Sequence, residues 1–134
     1  MAKLFPLEII TPERTFFSGS VISLTVEAAN GRMGILADHE PYVVGLDSGM
    51  LKIQTADKEL VAAHGEGFVE VRPDKTLVLC QTAEYPDEIE PNRVRRAIEE
   101  HERKLREAKS MTEYNLSKAT LSRAFARLRV KGNG

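Results

Sequence analysis

Asn92-Arg-Val-Arg-Arg-Ala-Ile-Glu-Glu-His-Glu-Arg-Lys-Leu-Arg-Glu-Ala-Lys109, with its continuation to Lys131, contains neither glycine nor proline. Arg, Lys, Glu, Ala and Leu dominate it, the composition of helix. Everything up to Pro86 is different: short Val/Ile/Leu-rich runs broken by glycines and prolines, the composition of strands and turns. The charges divide at the same place. Residues 1–87 carry 13 acids against 7 bases, net −6, and residues 88–134 carry 7 acids against 12 bases, net +5. The overall charge of −1 therefore hides two opposite surfaces.

Within the basic segment, Val94, Ala97, Ile98, Leu105 and Ala108 recur at three- and four-residue steps, with His101 on the same stripe. Pro91 suits the first helical turn, where its missing N–H costs nothing. The spacing predicts a helix over about residues 92–109, a reversal at Ser110-Met-Thr112, and a second helix to about Val130 with Thr112 as N-cap. Leu121, Ala124, Phe125 and Leu128 form the expected apolar stripe of that second helix. So short a connection makes an antiparallel hairpin. Its apolar content is thin and rich in alanine, so it needs a further surface to be stable in water.

Working back towards the N-terminus, the strand candidates are residues 7–10, 16–27, 42–44, 50–55, 59–64, 67–72 and 76–82. Val21-Ile-Ser-Leu-Thr-Val26 and Phe68-Val-Glu-Val71 alternate with period two. Asn30-Gly31, Asp47-Ser-Gly49, Ala56-Asp-Lys58 and Pro73-Asp-Lys75 read as hairpin-type turns. No helical crossover separates the strands, so two packed antiparallel sheets are expected. The domains expected are a sandwich at 1–87 and a helical arm at 88–134.

Chemistry is sparse. His39, His64 and His101 are far apart, and Cys80 joins none of them at ligand spacing. HExxH, CxxC, GxSxG and Walker-type signatures are absent, so the reading is not an enzyme. No 18-residue apolar run exists to span a membrane, and residues 1–10 do not read as a secretory signal. The lone Cys80, in Thr76-Leu-Val-Leu-Cys-Gln-Thr82, reads as a small buried hydrophobe in a strand. Gly31-Arg-Met-Gly34 and Gly65-Glu-Gly67 read as tight turns or close backbone approaches. Arg123 and Arg127 share a helix face, and a folded hairpin would bring Arg127 near Glu90 and Arg93. That cluster suits either a phosphate or a charged surface pairing with acids. The arm is basic, but seven acids interrupt it and its aromatics are Tyr114 and Phe125 alone, which argues against nucleic acid.

Four stretches, in order, carry a family resemblance: Gly31-Arg-Met-Gly-Ile-Leu-Ala-Asp-His-Glu-Pro41, Gly49-Met-Leu-Lys-Ile53, Gly65-Glu-Gly-Phe-Val-Glu-Val71 and Leu121-Ser-Arg-Ala-Phe-Ala-Arg-Leu128. Over about residues 3–131 the chain resembles the epsilon subunit of the bacterial F-type ATP synthase. The resemblance implies a flattened ten-stranded antiparallel β-sandwich followed by a two-helix hairpin. It implies a non-catalytic place in the central stalk, peripheral to the cytoplasmic face of the cell membrane. The gamma subunit and the c-ring would bind the sandwich, and the arm would move between a compact and an extended state that meets the alpha and beta subunits and restrains ATP hydrolysis. Gly31, Asp38 and His39 become candidate rotor contacts, and Arg123, Arg127 and Arg129 candidate contacts of the inhibitory state.

Some members also bind regulatory ATP, with or without magnesium, through an Ile/Leu-Asp-x-x-Arg-Ala stretch and further arginines. The corresponding run here is Ile89-Glu-Pro-Asn-Arg-Val94, which makes Ile89, Glu90, Arg93, Arg123 and Arg127 the candidate nucleotide residues. Three features depart from the pattern: Glu90 replaces aspartate, Val94 replaces alanine, and Glu100 stands where ATP-binding members can carry arginine. Leu36-Ala-Asp-His39 likewise replaces the commoner Leu-Pro-Gly-His. The alternative to a rotor subunit is a free-standing helical-arm adaptor or nucleic-acid-binding module.

Overall fold

The computed structural model describes residues 3–28 and 30–133. Ten strands come first: β1 Phe5–Ile10, β2 Thr15–Val21, β3 Ser23–Ala28, β4 Gly31–Leu36, β5 Tyr42–Leu46, β6 Gly49–Gln54, β7 Glu59–His64, β8 Gly67–Val71, β9 Thr76–Cys80 and β10 Ala83–Glu84. A 3₁₀ turn, Pro86–Glu88, leads to α1 Pro91–Arg106 and α2 Met111–Asn133. The strands run in the order β10-β7-β6-β3-β5-β8-β9-β1-β2, with β4 also paired to β3. Among the described residues one bridge, Ala28 to Leu46, joins β3 to β5, so the path is two sheets meeting at a corner. All pairings are antiparallel except β1 with β9, whose parallel run from Leu7–Thr76 to Ile10–Leu79 closes across most of the sandwich. The crossover that a parallel pair requires is supplied there by the intervening strands rather than by a helix.

Side-chain alternation builds the core. Leu7, Ile9, Val69 and Val78 from one sheet meet Leu24, Val26, Leu51 and Ile53 from the other, all essentially buried. Each such side chain contributes roughly 1.5–3 kcal/mol on leaving water. Cys80 lies in this core, as expected of a small hydrophobe.

The residues alone resolved seven of the ten strands. The run over 16–27 is two strands: β2 pairs with β1, whereas β3 pairs with β4 and β6. The switch falls at Ile22, whose N–H donates to the Gln54 carbonyl at 2.7 Å. The chain stays extended as it changes sheet, so alternation carries no mark of the break. Gly31-Arg-Met-Gly34, read as a tight turn or close backbone approach, lies in strand β4, with Gly31 at φ 126° opening the strand after the turn at Asn30. Ala83–Glu84 separates from β9 to become an edge strand on β7. Asp47-Ser-Gly49 is not a hairpin, because β5 pairs with β8 and β6 with β7; it carries the chain between sheets.

The hairpin forms as the spacing required, with one change of cap. The Ser110 hydroxyl accepts from Glu113 N–H at 3.1 Å and the Ser110 carbonyl from Tyr114 N–H at 3.1 Å, so Ser110, not Thr112, caps α2. The Glu113 carboxylate accepts in turn from Lys109 N–H at 2.9 Å. That is the reciprocal logic of a capping box, which favours the earlier serine.

Candidate functional site: the docked arm and its anchor points

The arm lies against the sandwich. Successive residues of a strand face opposite sides. On β6 and β7, Leu51, Ile53 and Ala62 point into the sandwich, while Met50, Val61 and Ala63 lie outside it. These outer residues form one cluster with Leu121, Ala124 and Val130 of α2, Val94 and Ile98 of α1 and Ile89 of the joint, and it is α2 that meets β6 and β7. Phe125, expected on the stripe, is 52% exposed, while Ser117, Ala126 and Val130 are buried. Leu121, Ala124 and Leu128 of the expected stripe do pack inward; α2 lies between α1 and the sheet and so buries a wider surface than one stripe, with Phe125 alone turned out. The thin apolar hairpin thus finds its missing surface at home.

Polar contacts fasten the C-terminal end of α2. Arg127 meets Glu84 with two points of its fork, Nε 2.7 Å from Oε1 and Nη2 donating to Oε2 at 3.1 Å. Arg129 Nη2 donates to Glu27 Oε1 at 2.6 Å, and Lys131 Nζ donates to the Pro86 carbonyl at 2.9 Å. Glu27 is held by its surroundings. Met50 N–H donates to its carboxylate at 3.4 Å, and a Cβ at residue 49 would lie 2.6 Å from its Cδ, so glycine is needed there. Beside it, His64 is 2% exposed, with Nε2 accepting from Glu27 N–H at 3.5 Å and Nδ1 3.1 Å from the Gly65 carbonyl. Burial pushes the His64 pKa below its ordinary value and Arg129 adds to this, against the Gly65 carbonyl and the Glu27 charge.

The joint is anchored separately. Arg14 Nη2 donates to Glu88 at 2.9 Å and to the Ala83 carbonyl at 3.2 Å, and the Phe16 ring stacks on Tyr85 at 4.3 Å. Hydrogen bonding from Arg14 holds the Glu88 carboxyl below its usual range. The Pro86–Glu88 turn therefore belongs to the sandwich, and the chain leaves it at Ile89.

In the docked arm the candidate nucleotide residues are buried, paired elsewhere or exposed. Ile89 is buried under the arm. The Glu90 carboxylate accepts from Asn92 N–H at 3.1 Å and caps α1. Arg93 is exposed, and Arg123 Nη2 donates to Thr120 Oγ1 at 3.3 Å. Arg127 is taken by Glu84 rather than facing Glu90 and Arg93. Among the described residues no hydrogen bond or ion pair joins these five to one another. Glu100 is exposed and pairs with Lys104 at 3.2 Å, which lowers its pKa.

The rotor-contact candidates lie at exposed turns. Gly31 is exposed. Asp38 takes φ 65°, a left-handed conformation that explains glycine at this position in the commoner pattern. Its carboxylate meets Lys3 Nζ at 2.8 Å. The His39 ring lies 5.7 Å from that of Tyr42, with Nδ1 2.8 Å from the Glu40 carbonyl. Leu36 and Val43, both more than 60% exposed, give this end an apolar surface.

Among the described residues no three His, Cys, Asp or Glu side chains gather to hold a metal ion. No helix is long and apolar enough to cross a membrane. Sequence reasoning missed Glu27, Glu84 and the Pro86 carbonyl, the acceptors that hold the arm. The one signal pointing to them was the opposite charge of the two halves.

The family model described as "ATP synthase, Delta/Epsilon chain, beta-sandwich domain" matches residues 4–86. The ATP synthase epsilon chain of Ruminiclostridium cellulolyticum is 43% identical over 128 residues, covering 96% of this chain and 95% of that one. The epsilon chain of Natranaerobius thermophilus is 44% identical over 128 residues, covering 94% and 91%. In fold, the chain resembles one in the Euglena gracilis mitochondrial ATP synthase OSCP/F1/c-ring structure, with TM-score 0.80, 21% identity, and coverage of 94% and 79%. It also resembles one in the Tetrahymena thermophila mitochondrial ATP synthase central stalk/c-ring structure, with TM-score 0.64, 12% identity, and coverage of 96% and 97%. The chain belongs to the ATP synthase epsilon-chain family and is a non-catalytic subunit.

Proposed function

We propose that this chain couples the gamma subunit to the c-ring in the central stalk of a proton-translocating rotary ATP synthase and restrains ATP hydrolysis through its C-terminal arm. Residues 1–87 form the rotor-binding domain and residues 88–134 the movable arm. The complex sits at the cytoplasmic face of the bacterial membrane, with this subunit peripheral in F1. Asp38 and His39, beside exposed Leu36 and Val43, meet the rotor, and Gly31 at the other end of β4 is a separate contact.

The observation that carries this reading is how the arm is held. A small apolar interface and the contacts of Arg127, Arg129 and Lys131 fasten it to an already complete sandwich. Such an arm can leave without unfolding its support, giving two states that differ by a few kcal/mol and respond to ligand or load. When extended it would carry Arg123, Arg127 and Arg129 to the alpha and beta subunits. The same arginines then act in both states, and the sign of a mutation separates the roles. In reconstituted enzyme, replacing all three with alanine raises ATP hydrolysis if they make inhibitory contacts. Unchanged or deeper inhibition would confine them to the docked state.

Regulatory ATP belongs to the same reading. For a triphosphate to be held by Arg93, Arg123 and Arg127, Arg127 must exchange Glu84 for phosphate. Magnesium would arrive with the nucleotide, and Glu100 would weaken binding if it faced the phosphates. Calorimetric titration with ATP, with and without magnesium, should give saturable heat that tightens in Glu100→Arg. No heat at millimolar ATP refutes nucleotide control.

A further inference from the structure

We propose that His64, Glu27 and Arg129 form a proton-sensitive latch, in which a proton on His64 competes with Arg129 for the Glu27 carboxylate and releases the C-terminal end of the arm. The inference rests on the movable-arm reading above and adds its control. Geometry fixes the protonation state of the docked form. Glu27 N–H points at His64 Nε2, so Nε2 must accept; the imidazole proton then sits on Nδ1 and is donated to the Gly65 carbonyl. A second proton, on Nε2, would face the Glu27 N–H head-on and break that contact. It would also place a buried cation near the Arg129 guanidinium, both drawing on the Glu27 carboxylate.

The charged groups around His64 are few. Burial and Arg129 on α2 oppose the proton, while Glu27 on β3 and Asp47 in the β5–β6 connection favour it; Arg32 on β4 lies 3.9 Å from Glu27 Oε1, and the Arg123 side chain on α2 lies against Gly65. The register neighbours of His64 are Gly49 on β6 and Ala83 on β10, neither of which titrates. Glu84, the residue after Ala83, is paired with Arg127. Removing the arm withdraws Arg129 and leaves the Glu27 carboxylate to Arg32, 3.9 Å away, and the imidazolium, so the released state binds the proton more tightly. The direction follows by linkage: docking is favoured above the ordinary histidine pKa of 6.5 and weakens as pH falls below it.

The test uses the full chain with fluorescent labels on Asp74→Cys and Gly132→Cys, both at exposed positions. Buried Cys80, its thiol pushed up to about 11, stays unlabelled. From pH 7.5 to 5.5 the ratio of released to docked arm should rise about threefold to tenfold, the effect of taking up one proton per arm released. His64→Gln, which keeps an acceptor and a donor but cannot charge, should abolish the rise. Should that variant not fold, Glu27→Gln serves: it should release more arm at pH 7.5 and lose the pH response. A response unchanged in either variant overturns the latch. An Arg127→Ala, Arg129→Ala chain at pH 7.5 serves as the control for motion. If it opens while the parent ignores pH, the latch alone is wrong; if it too stays docked, the movable-arm reading falls with it.

Discussion

Removing the Glu84–Arg127 pair while leaving every apolar contact in place isolates the electrostatic share of arm docking. Both side chains are about a quarter exposed, 24% for Glu84 and 29% for Arg127, and they meet at 2.7 Å. Two unit charges about 4 Å apart attract by about 4 kcal/mol at an effective dielectric of 20, a ceiling before desolvation and ordering are charged against it. Exposed pairs retain about 0–1 kcal/mol. The charge-assisted Nη2–Oε2 hydrogen bond and partial burial place this one above that range, and we expect a coupling of about 1–2 kcal/mol, or a 5- to 30-fold change in released arm. The assay is thiol accessibility at Ala124→Cys, a 4% exposed position of α2, in a double-mutant cycle of Glu84→Gln and Arg127→Gln. Each single change should speed modification, and the double change should cost less than the two summed. Strictly additive effects, with coupling below about 0.3 kcal/mol, would show that the pair does not hold the arm.

Other consequences follow from particular contacts. Leu121→Ala should cost about 2–4 kcal/mol in the helical transition while leaving the sandwich transition in place, read by calorimetry of the full chain. Gly67→Ala should do the reverse and damage the sandwich by about 3 kcal/mol or more, because its Cβ would run into the Leu79 carbonyl. At the left-handed Asp38, replacement by glycine should keep or raise the melting temperature, whereas valine should lower stability by about 1–2 kcal/mol.

The sequence was most readable where local rules suffice. Pro91 marks the start of α1, and the spacing of Val94 and Ile98 picks the face it buries. Hairpin turns at Asn30-Gly31 and Pro73-Asp-Lys75 are where their residues place them. It was least readable where the outcome depends on register between distant segments. Nothing near Arg127 points to Glu84, 43 residues away, or near Arg129 to Glu27, 102 residues away. The Ile22 break between sheets left no trace because an extended chain can change partner without changing conformation. On α2, alanines and a serine make close contacts that a search for large apolar residues passes over, which is why Phe125 was placed inward and lies outward. The candidate site was therefore legible as a set of cations and illegible as a set of pairs.

The claim that the docked arm is the unrestrained state can be tested by locking it there. Cysteines replacing Glu84 and Arg127, joined by a short bifunctional thiol reagent, would tie α2 to the sandwich where the ion pair now holds it. In the reconstituted synthase, ATP hydrolysis should rise on cross-linking towards the rate of enzyme lacking residues 88–134, and fall back when a cleavable link is cut. Hydrolysis that stays equally restrained with the arm tied down would contradict the account.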